Sequence, residues 1–238
     1  QYIHPIDNSK QLLEIAFRKA REKVFEKRRQ GDFLQDMKIK DMSKFDMIKD
    51  ILNSRFDDVL DDFPKENLLP GFYLRLLHVT VEYAQYKKSL GAVHWAKDKV
   101  AFMHREYARK MSASRDYAHM SRVSKEFYGR VSSIVKQIDP NLKYLEQCRN
   151  IMKTYPDIKE LFTVCIYGFP NVGKTTLLNK LTGAQAKVAS YAFTTQTINS
   201  GFVTLDGTKI QVLDVPGTLA RDDKMNLIEV QAELVRKE

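Results

Sequence analysis

The feature that most limits how this chain can fold is a glycine-rich turn that follows the apolar run Leu161–Tyr167. The run is too short for a typical globular helix, and its branched residues favour a strand buried on both faces. Gly168, Gly173, Lys174 and Thr175 then satisfy the spacing G-x-x-x-x-G-K-[ST]. In that arrangement the glycines let successive backbone amides curl around a phosphate group. The turn therefore predicts a phosphate-binding loop.

The residues after the turn support this prediction. Lys174 to Thr182 has the composition of a short helix, and Gly183 closes it. Lys174 supplies a mobile positive charge toward the β- and γ-phosphates, and the Thr175 hydroxyl is placed to bind Mg²⁺. The predicted nucleotide-binding loop consists of Gly168, Phe169, Pro170, Asn171, Val172, Gly173, Lys174, Thr175 and Thr176.

A second motif separates a nucleotide switch from other phosphate-loop proteins. Asp206-Gly207 lies between two strand-like runs and predicts a β-hairpin. Directly after the hairpin, Asp214 and Gly217 occupy the position of the D-x-x-G element of GTPases, with Asp214 holding Mg²⁺ through water and the Gly217 amide facing the γ-phosphate. This predicted second switch consists of Asp214, Val215, Pro216 and Gly217.

Between the two motifs lies "SYAFTTQT". A threonine pair before the hairpin fits a first switch, in which a hydroxyl and a carbonyl close on Mg²⁺ only while the γ-phosphate is present. The candidate residues are Phe193, Thr194 and Thr195. Each motif alone is weak, but the order and spacing of all three indicate a nucleotide-binding domain.

The amino-terminal part has a different pattern, in which apolar residues recur every three or four positions. The segments begin near Asn8, Phe45, Phe72 and Tyr117, with Gly91 interrupting the third, and Asp139-Pro140 precedes a last short helix that starts at Leu142. We therefore predict an α plus α/β protein. An antiparallel helical bundle spans residues 1–157, and part of an α/β nucleotide-binding domain spans 158–238.

Positive charge is concentrated in the helical part. The net charge is +9 overall, and residues 1–160 carry 31 Lys and Arg against 23 Asp and Glu, or +8. Such a surface suits RNA or another polyanion, but an ordinary solvated helix face explains the charge equally well. The candidate RNA surface consists of Arg105, Arg109, Lys110, Arg115, Arg122, Lys125 and Arg130, interleaved with Tyr107, Tyr117 and Phe127.

The remaining composition indicates an intracellular protein. No apolar run is long enough to cross a bilayer, and the amino terminus has no secretory signal pattern. The chain contains two cysteines, Cys148 and Cys165, which we interpret as buried free thiols in a helix and a strand. The five histidines lack the paired spacing of a zinc site. We expect a cytoplasmic monomer that does not associate with membranes.

The stretches "GFPNVGKTTLLNKLT", "SYAFTTQT" and "VLDVPGTL" together resemble the Obg-type GTPases. The stretch "DPNLKYLEQCRNIMKTYP", joined to a long helical region, narrows the resemblance to the nucleolar GTP-binding protein family. The resemblance implies GTP and GDP as ligands, Mg²⁺ as cofactor, and Thr195 rather than Thr194 as the first-switch Mg²⁺ ligand. It implies that Lys174, Thr195 and Gly217 serve GTP hydrolysis.

The same resemblance implies a biological role. Members of this family assist assembly of the large ribosomal subunit, so the expected partners are large-subunit ribosomal RNA and the pre-ribosomal particle. The expected location is then ribosome-associated, and nucleolar in a eukaryote. Asn171 stands where related cation-dependent GTPases help to hold K⁺, although it could equally serve only to shape the loop.

Two questions stay open at this level. No N-K-x-D element, which reads guanine, follows Asp214–Gly217 before Glu238. We therefore expect the sequence to be part of a longer protein, and the alternative is a variant that binds phosphates without selecting the base. The chain itself could then be inactive. Two other functions compete with a GTPase: a phosphate-loop ATPase or kinase, and a helical protein-interaction module with an inert nucleotide domain.

Overall fold

The computed structural model describes residues 3–22, 33–155, 161–168, 172–183, 187–189, 198–205 and 207–214. Its contacts divide the chain into two compact units, residues 1–64 with 84–149 and residues 65–83 with 150–238. The elements are α1 (Ser9–Glu22), α2 (Phe33–Asp62), a 3₁₀ turn (Glu66–Leu68), α3 (Gly71–Thr80), α4 (Tyr83–Ala113), α5 (Tyr117–Gln137), α6 (Asp139–Met152), β1 (Thr163–Ile166), α7 (Lys174–Thr182), β2 (Lys187–Ala189), β3 (Ile198–Leu205) and β4 (Thr208–Asp214). This α plus α/β architecture confirms the predicted fold class.

The first unit is a helical bundle held together by an aromatic cluster. The rings of Phe45 in α2 and Phe127 in α5 lie 4.0 Å apart, and Tyr107 in α4 lies 5.9 Å from Phe127. All three side chains are buried. Burying aromatic rings of this size contributes a large share of the hydrophobic stabilisation of a bundle. The apolar stripes of α2, α4 and α5 therefore meet in one core.

A polar network lies beside this cluster. The buried carboxylate of Asp41 in α2 accepts hydrogen bonds from the Ser124 hydroxyl at 2.8 Å and the Lys44 ammonium at 2.7 Å. A buried charge is tolerated because both carboxylate oxygens have donors. Burial, with a smaller contribution from the Asp41 charge, raises the pKa of Tyr128 to about 12. The phenol therefore stays protonated inside the bundle at all ordinary pH values.

Two helix boundaries differ from the sequence prediction. Gly91 does not interrupt a helix but lies within the continuous α4, and the break falls earlier, at Val81–Glu82. A glycine costs a helix about 1 kcal/mol relative to alanine, and burial of Val93 and Val100 on the same helix offsets that loss. The last helix of the bundle, α6, begins at Asp139 rather than Leu142 because proline is tolerated in a first helical turn.

The start of α6 also fixes the start of α1. One oxygen of Asp139 accepts the Ser9 backbone amide at 2.9 Å, and the other accepts the Lys143 ammonium at 2.7 Å. Hydrogen bonds from Lys143 and Ser9 lower the pKa of Asp139 to about 2. This carboxylate therefore stabilises the bundle above pH 4, and the contribution is lost as the pH falls from about 4 to about 2.

The second unit contains a four-stranded sheet in the order β1-β4-β3-β2. β1 runs parallel to β4, whereas β3 is antiparallel to both β4 and β2. The β3–β4 hairpin confirms the prediction made from Asp206-Gly207, and Gly207 has the positive φ of 78° that the turn requires. The sequence pattern did not indicate β2, whose three residues are too few for a period to show.

One expectation for this sheet was wrong. We predicted that the strand after Leu161 is buried on both faces, but Val164 is 43% exposed and Phe162 is also exposed. Among the described strands β1 pairs only with β4, so it lies at an edge. Side chains project from the two faces of a sheet, so the exposure of Val164 and Phe162 means that packing does not fully cover the face on which they lie.

Helix α3 belongs with this sheet. Phe72 and Leu76 of α3 pack against the buried Leu213 of β4, and Tyr155 and Cys165 border the same cluster. The contacts thus group residues 65–83 with the second unit. The domain limits 1–157 and 158–238 remain a prediction from the sequence.

The two cysteines are free, as predicted, but only Cys148 is buried, whereas Cys165 is half-buried. Burial raises the pKa of both thiols, that of Cys148 to about 11. Among the described residues, no helix combines the length and apolar character needed to cross a bilayer. The same part of the chain contains no cluster of three or more His, Cys, Asp or Glu side chains that could hold a metal ion.

Candidate nucleotide-binding site

The predicted phosphate-binding loop begins where β1 ends and finishes at the first turn of α7. Gly168 and Gly173 have positive φ values of 155° and 90°. Gly173 directly precedes Lys174, the first residue of α7. Its left-handed backbone conformation is one that glycine adopts without the strain that other residues would incur. The positive end of the helix then faces the loop. These are the backbone features that the motif predicted for a phosphate site.

Strand register brings the second motif to the same place. β1 and β4 are parallel, and Ile166 near the loop pairs with Asp214 at the end of β4. The Thr175 hydroxyl donates a hydrogen bond to Oδ2 of Asp214 at 2.5 Å. Thr175 and Asp214 are 39 positions apart in the sequence. The fold therefore brings two predicted Mg²⁺ ligands side by side.

These two residues fit the metal that the motifs imply. A hydroxyl and a carboxylate are the hard oxygen donors that Mg²⁺ prefers, and Mg²⁺ in nucleotide sites is held by one or two such groups together with phosphates and water. Asp214 is buried, so its oxygens are directed by the protein rather than by solvent. Thr175 and Asp214 would hold the ion, which when bound neutralises charge on the phosphates.

A third residue contacts Asp214, and no sequence motif predicted it. Asn199 of β3 is opposite Asp214 in the hairpin register, and its side-chain amide donates a hydrogen bond to Oδ2 of Asp214 at 3.2 Å. Oδ2 thus accepts two hydrogen bonds, from Thr175 and Asn199. The signal was available, since a two-residue turn that pairs Leu205 with Thr208 also pairs Asn199 with Asp214.

The position of α7 on the sheet depends on a close contact between the helix and strand β3. Leu178 of α7 is fully buried, and Gly201 of β3 lies directly under Thr182 at the end of the helix. A Cβ atom at Gly201 would lie 2.8 Å from Cβ of Thr182, closer than real Cβ contacts. Because α7 carries Lys174 and Thr175, this contact helps to fix the distance of both residues from the sheet.

Several predicted site residues lie outside the described part of the chain, and their roles remain predictions. They are Phe169, Pro170, Asn171, Phe193, Thr194, Thr195, Val215, Pro216 and Gly217. The described members of the predicted site are Gly168, Val172, Gly173, Lys174, Thr175, Thr176 and Asp214. The K⁺ site expected at Asn171 also falls on a residue that is not described.

The candidate RNA surface divides into two groups. All seven basic residues, Arg105, Arg109, Lys110, Arg115, Arg122, Lys125 and Arg130, are exposed. Of the three aromatic residues between them, Tyr107 and Phe127 belong to the core, whereas Tyr117 is 57% exposed. Hydrogen bonding to Glu106 raises the pKa of Lys110, so its charge persists at all ordinary pH values.

We predict that Asn199→Ala weakens Mg²⁺ binding in the nucleotide complex by about 10- to 100-fold, the usual loss when a hydrogen bond that orients a metal ligand is removed. The reason is that the carboxylate of Asp214 loses the donor that holds its orientation. Titration of Mg²⁺ against the release rate of a fluorescent GTP analogue measures this. Asn199→Asp would add a like charge and should weaken binding further, whereas Asn179→Ala, on the exposed side of α7, should leave it unchanged. Equal Mg²⁺ affinity in Asn199→Ala and the wild type would contradict the assignment.

Comparison with known proteins adds a second line of evidence. Residues 1–159 match the family described as the NOG1 N-terminal helical domain, and residues 163–237 match the family described as 50S ribosome-binding GTPase. An uncharacterized protein of Methanocaldococcus jannaschii is 39% identical over 227 residues, which cover 94% of this chain and 63% of that protein.

Two eukaryotic relatives carry a name. Nucleolar GTP-binding protein 1 of Drosophila melanogaster is 34% identical over 182 residues, 76% of this chain and 28% of the relative. The protein of the same name from Saccharomyces cerevisiae is 34% identical over 180 residues, 75% of this chain and 28% of the relative. The chain therefore spans less than two thirds of the length of each of these relatives.

Proposed function

Because this chain belongs to the nucleolar GTP-binding protein family, we propose that it is part of a GTP-hydrolysing switch that acts in assembly of the large ribosomal subunit. The observation that carries the proposal is the hydrogen bond between Thr175 and Asp214. It lies at the start of α7, which the left-handed Gly173 precedes. In this arrangement a phosphate chain is bound by the loop, while two oxygen donors hold the metal that accompanies a nucleoside triphosphate.

Each described residue has a distinct part in the proposed chemistry. The amides that follow Gly173 bind phosphate oxygens at the positive end of α7. Lys174 neutralises charge on the β- and γ-phosphates, and Thr175 and Asp214 hold Mg²⁺. Thr195 and Gly217 remain the proposed groups that sense the γ-phosphate. GTP and GDP are the proposed ligands, and K⁺ bound near Asn171 is a proposed activator that faster hydrolysis in K⁺ than in Na⁺ would support.

The helical unit is proposed to dock on ribosomal RNA of the large subunit. The charge of +8 on residues 1–160 and the seven exposed basic residues support this proposal, because phosphate contacts release counterions. The protein would then reside with assembling ribosomes, in the nucleolus if the source is a eukaryote. The description of the matching GTPase family, 50S ribosome-binding GTPase, agrees with such a partner.

The experiment measures binding of the intact protein to large-subunit RNA at several salt concentrations, with GTP or GDP bound. We expect affinity to fall steeply as salt rises and to differ between the two nucleotides. Arg105→Glu with Arg109→Glu should weaken binding about tenfold or more, whereas Arg18→Glu on α1 should not. The proposed switch would be refuted if the affinity for RNA changed neither with the salt concentration nor between the GTP-bound and GDP-bound protein.

Nucleotide competition separates the proposal from its alternatives. Displacement of a labelled nucleotide by GTP but not by ATP supports the switch, whereas equal displacement supports an ATPase or kinase. Failure of any nucleotide to bind the intact protein, combined with binding of a protein partner, would support the interaction module.

A further inference from the structure

Helix α4 carries an outer ridge that shares Arg109 with the candidate RNA surface and otherwise lies outside it. Trp95 and Phe102 are 37% and 49% exposed, and they are flanked along the helix by the exposed Lys88, Lys99 and Arg109. We call these five residues the α4 ridge. Large aromatic side chains are usually buried, so two of them exposed on one helix require an explanation.

The ridge lies on the face of α4 that points away from the core. At 100° per residue, its five members fall within an arc of about 80°. The buried residues of the same helix, which include Val93, Val100 and Tyr107, lie on the opposite side. The ridge is about 30 Å long at 1.5 Å per residue. Each aromatic side chain of the ridge is partly covered and leaves the rest of its surface open to a partner.

The charge of the helix points to a particular kind of partner. α4 contains seven Lys and Arg against two Asp and Glu, a net charge of +5. Lys88, Lys99 and Arg109 form no ion pair with any residue in the described ranges, and Glu106, in the same arc, is bonded to Lys110. The Lys99 ammonium lies 5.7 Å from the centre of the Phe102 ring. Protein–protein interfaces are depleted in lysine, whereas aromatic rings among cations are typical of single-stranded nucleic-acid surfaces.

We propose that the α4 ridge binds unpaired RNA, with Trp95 and Phe102 stacking on bases and the cations contacting phosphates. This inference rests on the proposed docking of the helical unit on ribosomal RNA, and it names the part of the RNA that is recognised. Trp95 and Phe102 are seven residues apart, or about 10 Å along the helix. That distance exceeds the spacing of stacked bases, so each ring receives its own base from a splayed strand.

Trp95 provides a direct probe because it is the single tryptophan of the 238 residues. A mixed-sequence RNA of about 12 nucleotides, within the usual site size for such surfaces, is titrated against the chain while tryptophan fluorescence is recorded. The same sequence paired in a duplex serves as the comparison. We expect the single strand to quench Trp95 and the duplex to leave its emission nearly unchanged. Binding of the single strand without quenching would overturn the inference.

Substitutions give an independent readout. Trp95→Ala with Phe102→Ala should weaken binding of the single strand by about 10-fold or more, because both rings that stack on bases are lost. Duplex binding, which depends on charge, should change less than twofold. Phe33→Ala, which removes a ring that is 66% exposed on α2, is the matched control and should bind as the wild type does. Circular dichroism confirms that the variants keep their helices.

The outcomes distinguish this inference from the function on which it rests. If large-subunit RNA binds in a salt-dependent manner but the double variant binds single strands as well as the wild type, the α4 ridge is not the stacking surface and the docking proposal stands. We would then infer that the α4 ridge binds a protein partner. If the intact protein binds no RNA, both proposals fail.

Discussion

Replacing Lys174 with alanine should reduce kcat/KM for GTP hydrolysis by the intact protein by roughly a hundred- to a thousandfold, the usual loss when one group that stabilises transition-state charge is removed. Lys174 is the first residue of α7, directly after the left-handed Gly173, and a lysine at this place in a phosphate loop is expected to neutralise charge on the β- and γ-phosphates. Release of phosphate from GTP with Mg²⁺ present measures the effect.

Lys180→Ala is the matched control for this substitution. Lys180 lies in the last turn of the same helix and is exposed, so its removal changes the net charge equally without touching the phosphate loop. We expect Lys180→Ala to retain hydrolysis within about twofold. A similar loss in both variants would mean that Lys174 acts through general charge and not as part of the site.

Gly201→Ala should destabilise the second unit by about 1–3 kcal/mol, because overpacking a tight contact forces neighbouring atoms to move. The new methyl group would overlap Thr182 at the end of α7, and because Cβ of Thr182 itself would lie 2.8 Å away, rotation of the Thr182 side chain cannot remove the overlap. Amide hydrogen exchange along β3 and β4 localises the effect. We expect faster exchange there, together with weaker GTP binding in the intact protein because α7 carries Lys174 and Thr175.

Two further variants test whether the overlap is the cause. Gly129→Ala introduces the same methyl group at an exposed helical position where nothing lies within 4 Å, and it should stabilise α5 by up to about 1 kcal/mol. Combining Gly201→Ala with Thr182→Gly removes the overlapping side chain and should restore much of the lost stability. If the combination is as unstable as Gly201→Ala alone, steric overlap with Thr182 is not the reason.

The sequence predicts some parts of this fold to the residue. Helix α7 has the predicted bounds because Gly173 and Gly183, with φ values of 90° and 66°, mark its two ends. The hairpin is equally well defined, since Gly207 occupies a turn position that strongly favours glycine. These local signals depend on backbone conformation and not on the surrounding packing, so they can be read without a structure.

Other parts depend on packing and could not be read in this way. Gly91 is a poor helix former, but tertiary burial of the residues around it keeps α4 continuous. The apolar stripe of α3 indicates that the helix is packed but not against what, and Phe72 and Leu76 in fact pack on Leu213 of the sheet. An amphipathic pattern defines the buried face of a helix and leaves its partner undetermined.

Within the candidate site, motifs identified the groups that would touch the nucleotide, and geometry identified the group that supports them. Lys174, Thr175 and Asp214 were predicted from spacing, and the contact between Thr175 and Asp214 brings two of them together. Asn199 belongs to no motif, since its importance comes from the register of β3 against β4. Counting back from the turn at Gly207 would have identified it.

The most direct measurement is a calorimetric titration of the intact protein with GTP, with and without Mg²⁺, for the wild type and Lys174→Ala. The account predicts one GTP bound per chain, tighter binding in the presence of Mg²⁺, and loss of most of that affinity in Lys174→Ala. GTP binding that is indifferent to both Mg²⁺ and Lys174, or no binding at all, would contradict it.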